Sequence, residues 1–280
     1  MDREHAMNRK SPYLNALVAP LLIALSSVVF AEDIDTLWDN LTIGVGVAAV
    51  DYPHYPGSSQ SDTLVAPLPY LEYSGDWLSI DRDGVQAALF KSERFELDIS
   101  VSGSLPVNND DNRLREGMDD LGLIIEVGPE LEVSLSEWGN NRLQLHLPLR
   151  AAIELLGEDS VNTAGWVFDP RLHYQWNKND LEFEVDLGAY WASREYNQLI
   201  YGVGPVDVTP VRSLYSADSG LVGYRLSTTL QYDVNNWSFL TYARYMDLAS
   251  SANETSPLFE DDRYALFGLG AIWRFKIAGQ

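Results

Sequence analysis

Histidine and serine are the residues of this chain that could carry catalytic chemistry. Beyond residue 31 the sequence has three histidines, His54, His146 and His173, and a nucleophilic serine would need one of them as a base within hydrogen-bond reach. His54 lies in the segment YPHYPG, whose prolines are typical of a turn. No G-x-S-x-G motif occurs. The sequence therefore predicts a protein that is not an enzyme and that has no cofactor.

Two of these histidines are the one candidate for a metal site. His146 and His173 fall in the polar phase of two alternating segments, on either side of a short connection at 157–163. Cross-strand neighbours of this kind could bind a metal ion or titrate near neutral pH. The favoured interpretation is that both line a wet interior without a metal. The acidic segment 108–120 lacks the oxygen spacing of a cation loop and is predicted to be a solvated outer loop.

Charged residues recur at every second position along several segments. In LEFEVDLGAYW, 181–191, apolar side chains alternate with three carboxylates, so one face of an extended chain is apolar and the other is acidic. A carboxylate left unpaired in hydrocarbon is costly, so the polar face must line a lumen while the apolar face contacts lipid. The charged residues predicted to line the lumen are Glu96, Asp98, Arg142, Arg150, Arg171, Glu182, Glu184, Asp186, Arg225 and Arg274.

The elements that position these residues are long strands. The alternating runs reach about ten to fourteen residues, longer than strands of soluble sandwiches and close to a tilted membrane strand. Short connections alternate with long ones, which is the pattern of short periplasmic turns and long outer loops. The fold class is thus all-β, an antiparallel transmembrane β-barrel of about 12 strands. Strands are predicted near 41–51, 62–73, 76–82, 84–90, 94–105, 120–135, 142–156, 164–176, 180–192, 218–232, 236–247 and 263–276.

The N-terminus reads as an export signal. A basic pair, Arg9 and Lys10, precedes an apolar run from Leu14 to Val29 that ends in small residues. Residues 1–31 are predicted to be a cleaved signal peptide, and 32–280 the barrel. The chain has no cysteine, so neither a disulfide framework nor a thiolate metal site is possible. Its net charge of −22 argues against nucleic-acid binding through phosphate neutralisation.

Several motifs in order resemble one family. They are YPGS with Tyr55, Pro56 and Gly57, then YGV with Tyr201 and Gly202, then Ser256 and Pro257. The final strand, GLGAIWRF with Gly270, Trp273 and Phe275, resembles the signal that the barrel-assembly machinery reads. The sequence is similar to the MltA-interacting protein (MipA)/OmpV family of Gram-negative outer-membrane proteins.

The resemblance implies a role for the barrel. The family is non-enzymatic, and its named role is a scaffold that binds a lytic transglycosylase and a murein synthase. We expect a monomer in the cell outer membrane, in contact with lipid and lipopolysaccharide, with Trp138 and Trp237 in periplasmic turns that contact the partner enzymes. One alternative is a narrow channel for uptake of small cationic solutes. The other is an adhesin acting through the outer loops 106–119, 193–217 and 248–262.

Overall fold

The chain forms one antiparallel β-sheet. The structure, a computed structural model, describes residues 41–74, 78–81, 84–87, 89–108, 112–156 and 160–276. The predicted signal peptide, 1–31, lies outside the described residues. The strands are β1 Leu41–Pro53, β2 Ser61–Ser74, β3 Leu78–Asp81, β4 Gly84–Ala87, β5 Phe90–Lys91, β6 Phe95–Ser104, β7 Leu123–Trp138, β8 Asn141–Leu156, β9 Ser160–Phe168, β10 Arg171–Lys178, β11 Leu181–Ala192, β12 Gly220–Val234, β13 Trp237–Asp247 and β14 Arg263–Lys276.

The sheet closes into a barrel. β1 pairs with β2 on one side and with β14 on the other, so the first and last strands meet. The other seam is closed by β4 and β5, which are consecutive pieces of one wall strand: β4 pairs with β3, and β5 pairs with β6. β9 and β10 are likewise one strand, interrupted at Asp169 and Pro170. In the described ranges, fourteen segments thus make 14 − 2 = 12 wall strands, and the prediction of an antiparallel barrel of about 12 strands is confirmed.

The two faces of the wall follow the alternation in the sequence. Apolar side chains point outward and stay exposed, among them Val47, Leu187, Leu226 and Phe267. Aromatic rings cluster on this outer face. Trp237 packs against Phe239 and Trp273, and Trp273 packs against Phe275. Closure pairs the backbone groups of the wall, and an apolar exterior then suits a bilayer.

The two ends of the barrel differ. At one end, called the turn end, two-residue turns at 139–140, 179–180 and 235–236 join β7 to β8, β10 to β11 and β12 to β13. Asn179 and Asn235 adopt the left-handed conformation there, with φ of 54° and 52°, which asparagine tolerates better than most residues. β7 and β8 run further into their turn than predicted, so Trp138 is the last residue of β7. Trp237 is the first residue of β13, inside the predicted strand 236–247, and flanks its turn.

The opposite end, called the loop end, carries the long connections. One of them contains a helix that the alternation did not predict, α1 Arg194–Tyr201. Its N-cap is Ser193, whose hydroxyl accepts a hydrogen bond from the Tyr196 N–H. Within the part of the chain described, no helix is both long enough and apolar enough to cross a membrane.

Candidate functional site

The interior of the barrel is the candidate site, and it gathers the residues that the alternation singled out. Glu182 accepts a hydrogen bond from Gln175 at 2.5 Å, and Arg274 pairs with Asp233 at 3.1 Å near the turn end. The other predicted lumen residues line one large cavity: Glu96, Asp98, Arg142, Arg150, Arg171, Glu184, Asp186 and Arg225.

A layer of buried charges, here called the septum, lies across the interior and consists of Glu126, Arg150, Asp169 and Arg225. Arg150 Nε donates to Glu126 Oε2 at 3.1 Å, and its Nη2 donates to Asp169 Oδ2 at 3.2 Å. Arg225 Nη1 lies 3.0 Å from the same Asp169 oxygen. The side chains of Glu126, Arg150 and Asp169 are nearly inaccessible to solvent. Buried charges of this kind are tolerable only when paired.

Local features of two strands bring the septum together. Asp169 sits at the break between β9 and β10, next to Pro170, which has no N–H for the ladder. In β11, Gly188 is in register with Arg171 on one side and Arg225 on the other. A Cβ at Gly188 would lie 2.6 Å from the Pro170 carbonyl oxygen, so glycine is needed for this close approach.

Two cavities lie on either side of the septum, and both are lined by Arg150, Asp169, Arg225 and also Arg244. The outer chamber, towards the loop end, has a volume of about 170 Å³, and the inner chamber, towards the turn end, about 480 Å³. The septum therefore divides the lumen into two compartments of different character.

The inner chamber is polar and rich in carboxylates, and it contains the histidine pair considered for a metal. The rings of His146 and His173 lie 5.1 Å apart. Nδ1 of His146 is 2.8 Å from Glu130 Oε1, while Nδ1 of His173 is 3.0 Å from Asp186 Oδ1. Each histidine is thus bonded to its own carboxylate.

A three-residue group within this chamber has the donor types of a metal site. One ligand atom each from Glu130, Glu132 and His146 lie within 4.8 Å of one another. Arg171 Nη2 already donates to Glu130 Oε1 at 2.7 Å, so a guanidinium supplies the positive charge there. Arg171 would therefore compete with a metal ion for Glu130 Oε1.

The long loops fold over the outer chamber as a single structure, here called the lid: the described residues of 54–60, 105–122, 193–219 and 248–262. The motif residues that carried the family resemblance meet in it. The Tyr55 hydroxyl donates to the Leu258 carbonyl at 2.9 Å, and the Ser256 hydroxyl donates to the Tyr201 carbonyl at 2.7 Å. The Gly57 carbonyl accepts from the N–H groups of Glu260 and Asp261. The first and last lid loops, about 200 positions apart in the chain, are thereby held together.

The lid has a core of its own. Its apolar core includes Tyr201, only 1% exposed, and the fully buried Leu248 and Leu258. Three asparagines of the lid are equally buried: Asn112, Asn197 and Asn253. Pro257 and Gly202 lie beside Leu258 and Tyr201 in the chain, so they too belong to the lid. The lid loops therefore combine a packed interior with residues that stay exposed.

The polar loop 108–120 shows this most clearly. Asn112 is fully buried and its amide donates to Ser58 Oγ, while Arg115 Nη1 donates to the Ile200 carbonyl at 2.9 Å. Burial lowers the pKa of Arg115 to about 10 and raises the pKa of Tyr55 to about 12, so at neutral pH Arg115 is charged and Tyr55 protonated. Arg115 also lies over the Tyr55 ring, 5.8 Å from its centroid. The prediction of a solvated loop holds for exposed residues such as Glu116 and Asp119. It missed the burial of Asn112 and Arg115, because their partners lie on distant loops.

Sequence reasoning missed three interior residues that complete the septum region: Glu126, Asp169 and Arg244. Glu126 lies two residues after the buried Ile124 in β7 and so shares its interior face, which the same period-two rule could have found. Asp169 lies at a strand break, where alternation gives no prediction. Arg244 lies in β13 between aromatic residues, and its guanidinium is 5.5 Å from the Tyr242 ring centroid.

Residues predicted to act outside the lumen are on the outer wall. Trp138 and Trp237 are exposed at the turn end, and Trp138 lies 6.4 Å from the Tyr174 ring. Trp273 and Phe275 point outward from β14, and Gly270 of the same strand pairs with Ala48 of β1. The residues that follow β14, 277–280, fall outside the described part.

The comparison with protein families decides the assignment. A family model described as MltA-interacting protein MipA matches residues 43–275, which is nearly the whole barrel. The chain belongs to this family. A MipA-family barrel with this exterior resides in the outer membrane, and its two-residue turns then face the periplasm. No curated protein matches the chain.

Solved outer-membrane proteins are similar to the MipA-family barrel at low identity. They include a structure entitled CymD monoaromatic hydrocarbon channel, at 11% identity over 86% of this chain and 90% of that one, with a TM-score of 0.38. The Ralstonia pickettii toluene transporter TbuX has 11% identity, coverage of 84% and 73%, and a TM-score of 0.32. A loop-deletion mutant of Vibrio cholerae OmpT has 8% identity, coverage of 84% and 99%, and a TM-score of 0.32. At these scores nothing about ligands is carried over to this chain.

Proposed function

We propose that this protein is a non-enzymatic scaffold in the outer membrane whose periplasmic end binds peptidoglycan-remodelling enzymes, a lytic transglycosylase and a murein synthase. The observation that carries the proposal is the packed interior of the barrel. A folded lid and a layer of paired buried charges occupy the interior of the barrel, which suits a stable platform better than an open pore. The family description, MltA-interacting protein, supports binding of a partner.

Contacts of the histidines support the absence of catalysis. Among the described residues, the side chains bonded to His54, His146 and His173 are an asparagine, an arginine and carboxylates, and no serine hydroxyl bonds to them. A serine without a base is a poor nucleophile.

The periplasmic end offers little surface, so affinity would rest on a few large side chains. Trp138 and Trp237 are exposed beside the two-residue turns, with 49% and 37% of their surface accessible. Tryptophans of this kind dominate many interfaces. We propose them as the partner contacts.

Capture from envelope extracts tests the scaffold. The double variant Trp138→Ala/Trp237→Ala should retain about a tenth or less of the partner enzymes. Trp166→Ala is the matched control, since Trp166 is equally exposed but lies in β9 towards the loop end. Equal capture by the double variant and the control would remove the tryptophans from the proposal, and no capture by the unmodified protein would remove the scaffold.

Conductance in planar bilayers separates the scaffold from the channel. Carboxylates of the inner chamber, including Glu96, Asp98 and Glu184, would favour cations, but passage requires both the lid and the septum to open. We expect no steady conductance, with a general porin as the positive control. A steady cation-selective current would favour the channel over the scaffold.

One feature of the lid favours the adhesin as a second candidate. Val206, Val211 and Leu214 are apolar and exposed on the 193–219 loop, with Val206 accessible over 94% of its surface. Exposed apolar clusters often mark contact surfaces. Replacing all three with serine should abolish attachment to a host or bacterial surface if the adhesin is correct, and leave enzyme capture unchanged.

A further inference from the structure

The outer chamber has the size and shape of a small ligand site. Its volume of about 170 Å³ is close to that of a cavity able to hold benzene, about 150 Å³. Its wall includes aromatic rings from three elements, Tyr190 of β11, Tyr196 of α1 and Tyr264 of β14, together with Met246 and Ile124. Flat rings and flexible thioethers of this kind suit a planar apolar body.

The floor of the chamber carries a positive charge. Three guanidiniums line it, from Arg150, Arg225 and Arg244, against two carboxylates, from Glu126 and Asp169, which leaves 3 − 2 = +1. His54, which also lines the chamber, adds no negative charge. The excess is notable in a chain whose net charge is −22.

The carboxylates of the floor are already engaged. Glu126 accepts from Arg150 Nε and from the Tyr190 hydroxyl at 2.8 Å. Asp169 is shared among Arg150, Arg225 and Arg171, so three guanidiniums surround one carboxylate. All three contacts use Oδ2, while the buried Oδ1 of Asp169 has no hydrogen-bond partner in the described chain, so it is the net charge of the floor that favours an anion.

Two guanidiniums of the floor lack anionic partners at specific atoms. Nε of Arg225 is buried and has no hydrogen-bond partner. Arg244 donates to the Ser227 hydroxyl at 3.3 Å and also contacts Tyr242, and it forms no ion pair with any residue in the described ranges. A buried donor without an acceptor costs free energy, and an anion that reaches both arginines would remove this cost.

We propose that the outer chamber binds a small organic anion with a planar apolar body, of the size and charge of benzoate. The carboxylate of the ligand lies against Arg225 and Arg244, and its ring lies among Tyr190, Tyr196 and Tyr264. This site is independent of the periplasmic surface proposed to bind murein enzymes.

Binding to the purified full-length barrel in detergent tests the site, with isothermal titration calorimetry as the readout. Benzoate should bind at least about tenfold more tightly than benzyl alcohol, which has the same ring without the charge, and benzylamine should not bind. Equal affinity for benzoate and benzyl alcohol, or tighter binding of benzylamine, would overturn the proposal. So would the absence of benzoate binding up to millimolar concentrations.

A pair of arginine variants locates the site. Arg244→Gln should weaken benzoate binding at least about fivefold, and it leaves no carboxylate unpaired because Arg244 has no acidic partner among the described residues. Arg263→Gln, an exposed arginine of the same barrel end, should bind benzoate within about twofold of the unmodified protein. Heat-dependent migration on gels verifies folding of both. Unchanged binding by a folded Arg244→Gln variant would overturn the assignment, and if that variant does not fold, the comparison of the three ligands decides.

Discussion

Asp169 is the residue on which the interior charge arrangement depends. It is 2% exposed and faces the guanidiniums of Arg150, Arg171 and Arg225. Removing one member of a buried ionic group is more damaging than its net contribution suggests, because the remaining charges stay buried without a counterion.

We predict that Asp169→Asn destabilises the barrel by about 3–5 kcal/mol, since three arginines lose their shared carboxylate. The measurement is the urea dependence of unfolding in detergent, followed by tryptophan fluorescence. Asp218→Asn is the control: its carboxylate pairs with Arg194 at the surface, with both side chains more than half exposed, and should cost about 1 kcal/mol or less. Similar losses in both variants would contradict a special role for the buried acid.

Alternation in the sequence predicted some of the interior residues and could not predict others. Period-two alternation placed acids such as Glu184 and Asp186 on the interior face of β11, where the structure has them. It could not place Asp169, because that residue leaves the alternation at a strand break. Nor could it show that Gly188 makes room for the Pro170 carbonyl and Arg171, since this depends on the register between β10 and β11.

The lid is the element that distinguishes this barrel from a simple channel. It is built from several loops that meet through hydrogen bonds to backbone carbonyls, such as those from Tyr55 and Ser256. Such bonds contribute only when every loop is in place, so the lid should open as one unit.

We predict that Tyr55→Phe loosens the lid without unfolding the wall. The substitution leaves the buried Leu258 carbonyl without its donor, at a cost of about 1–3 kcal/mol. Cleavage of the lid by added protease should then be about tenfold faster, while heat-dependent gel migration is unchanged. Tyr245→Phe, an exposed tyrosine on the outer wall, is the control. Loss of the folded barrel in the Tyr55 variant would show that lid and wall are a single cooperative unit.

The strands were predictable as elements, and the lid was not. Local alternation of apolar and polar residues predicts each strand, so the limits of β1, β13 and β14 agree with prediction to within a few residues. Lid contacts join loops about 55 to 200 positions apart, as between Ser256 and Tyr201 or Tyr55 and Leu258. Local sequence carries no sign of such partners, and the short helix α1 is stabilised by the same packing.

The whole molecule is a cylinder whose outer surface must match hydrocarbon. Leu187 lies in the middle of β11, is 58% exposed and points to this surface. A charge at such a position faces lipid and not water.

We predict that Leu187→Arg reduces the stability of the barrel in lipid vesicles by about 2–4 kcal/mol. Val206→Arg, on the exposed surface of the lid, should change it by less than about 0.5 kcal/mol. Urea titration of the vesicle-inserted protein measures both. Equal tolerance of arginine at the two positions would contradict contact between lipid and the outer face of β11.

The pairing of β1 with β14 has a consequence for biogenesis. Thirteen of the fourteen strand segments can exist before Arg263–Lys276 arrives, yet none of the intermediate sheets is a ring. Until then two ladders of amide groups stay open and prone to join another chain. We therefore expect a chain that lacks β14 to stay open at both edges, since the fourteen residues of this strand form the last seam of the barrel.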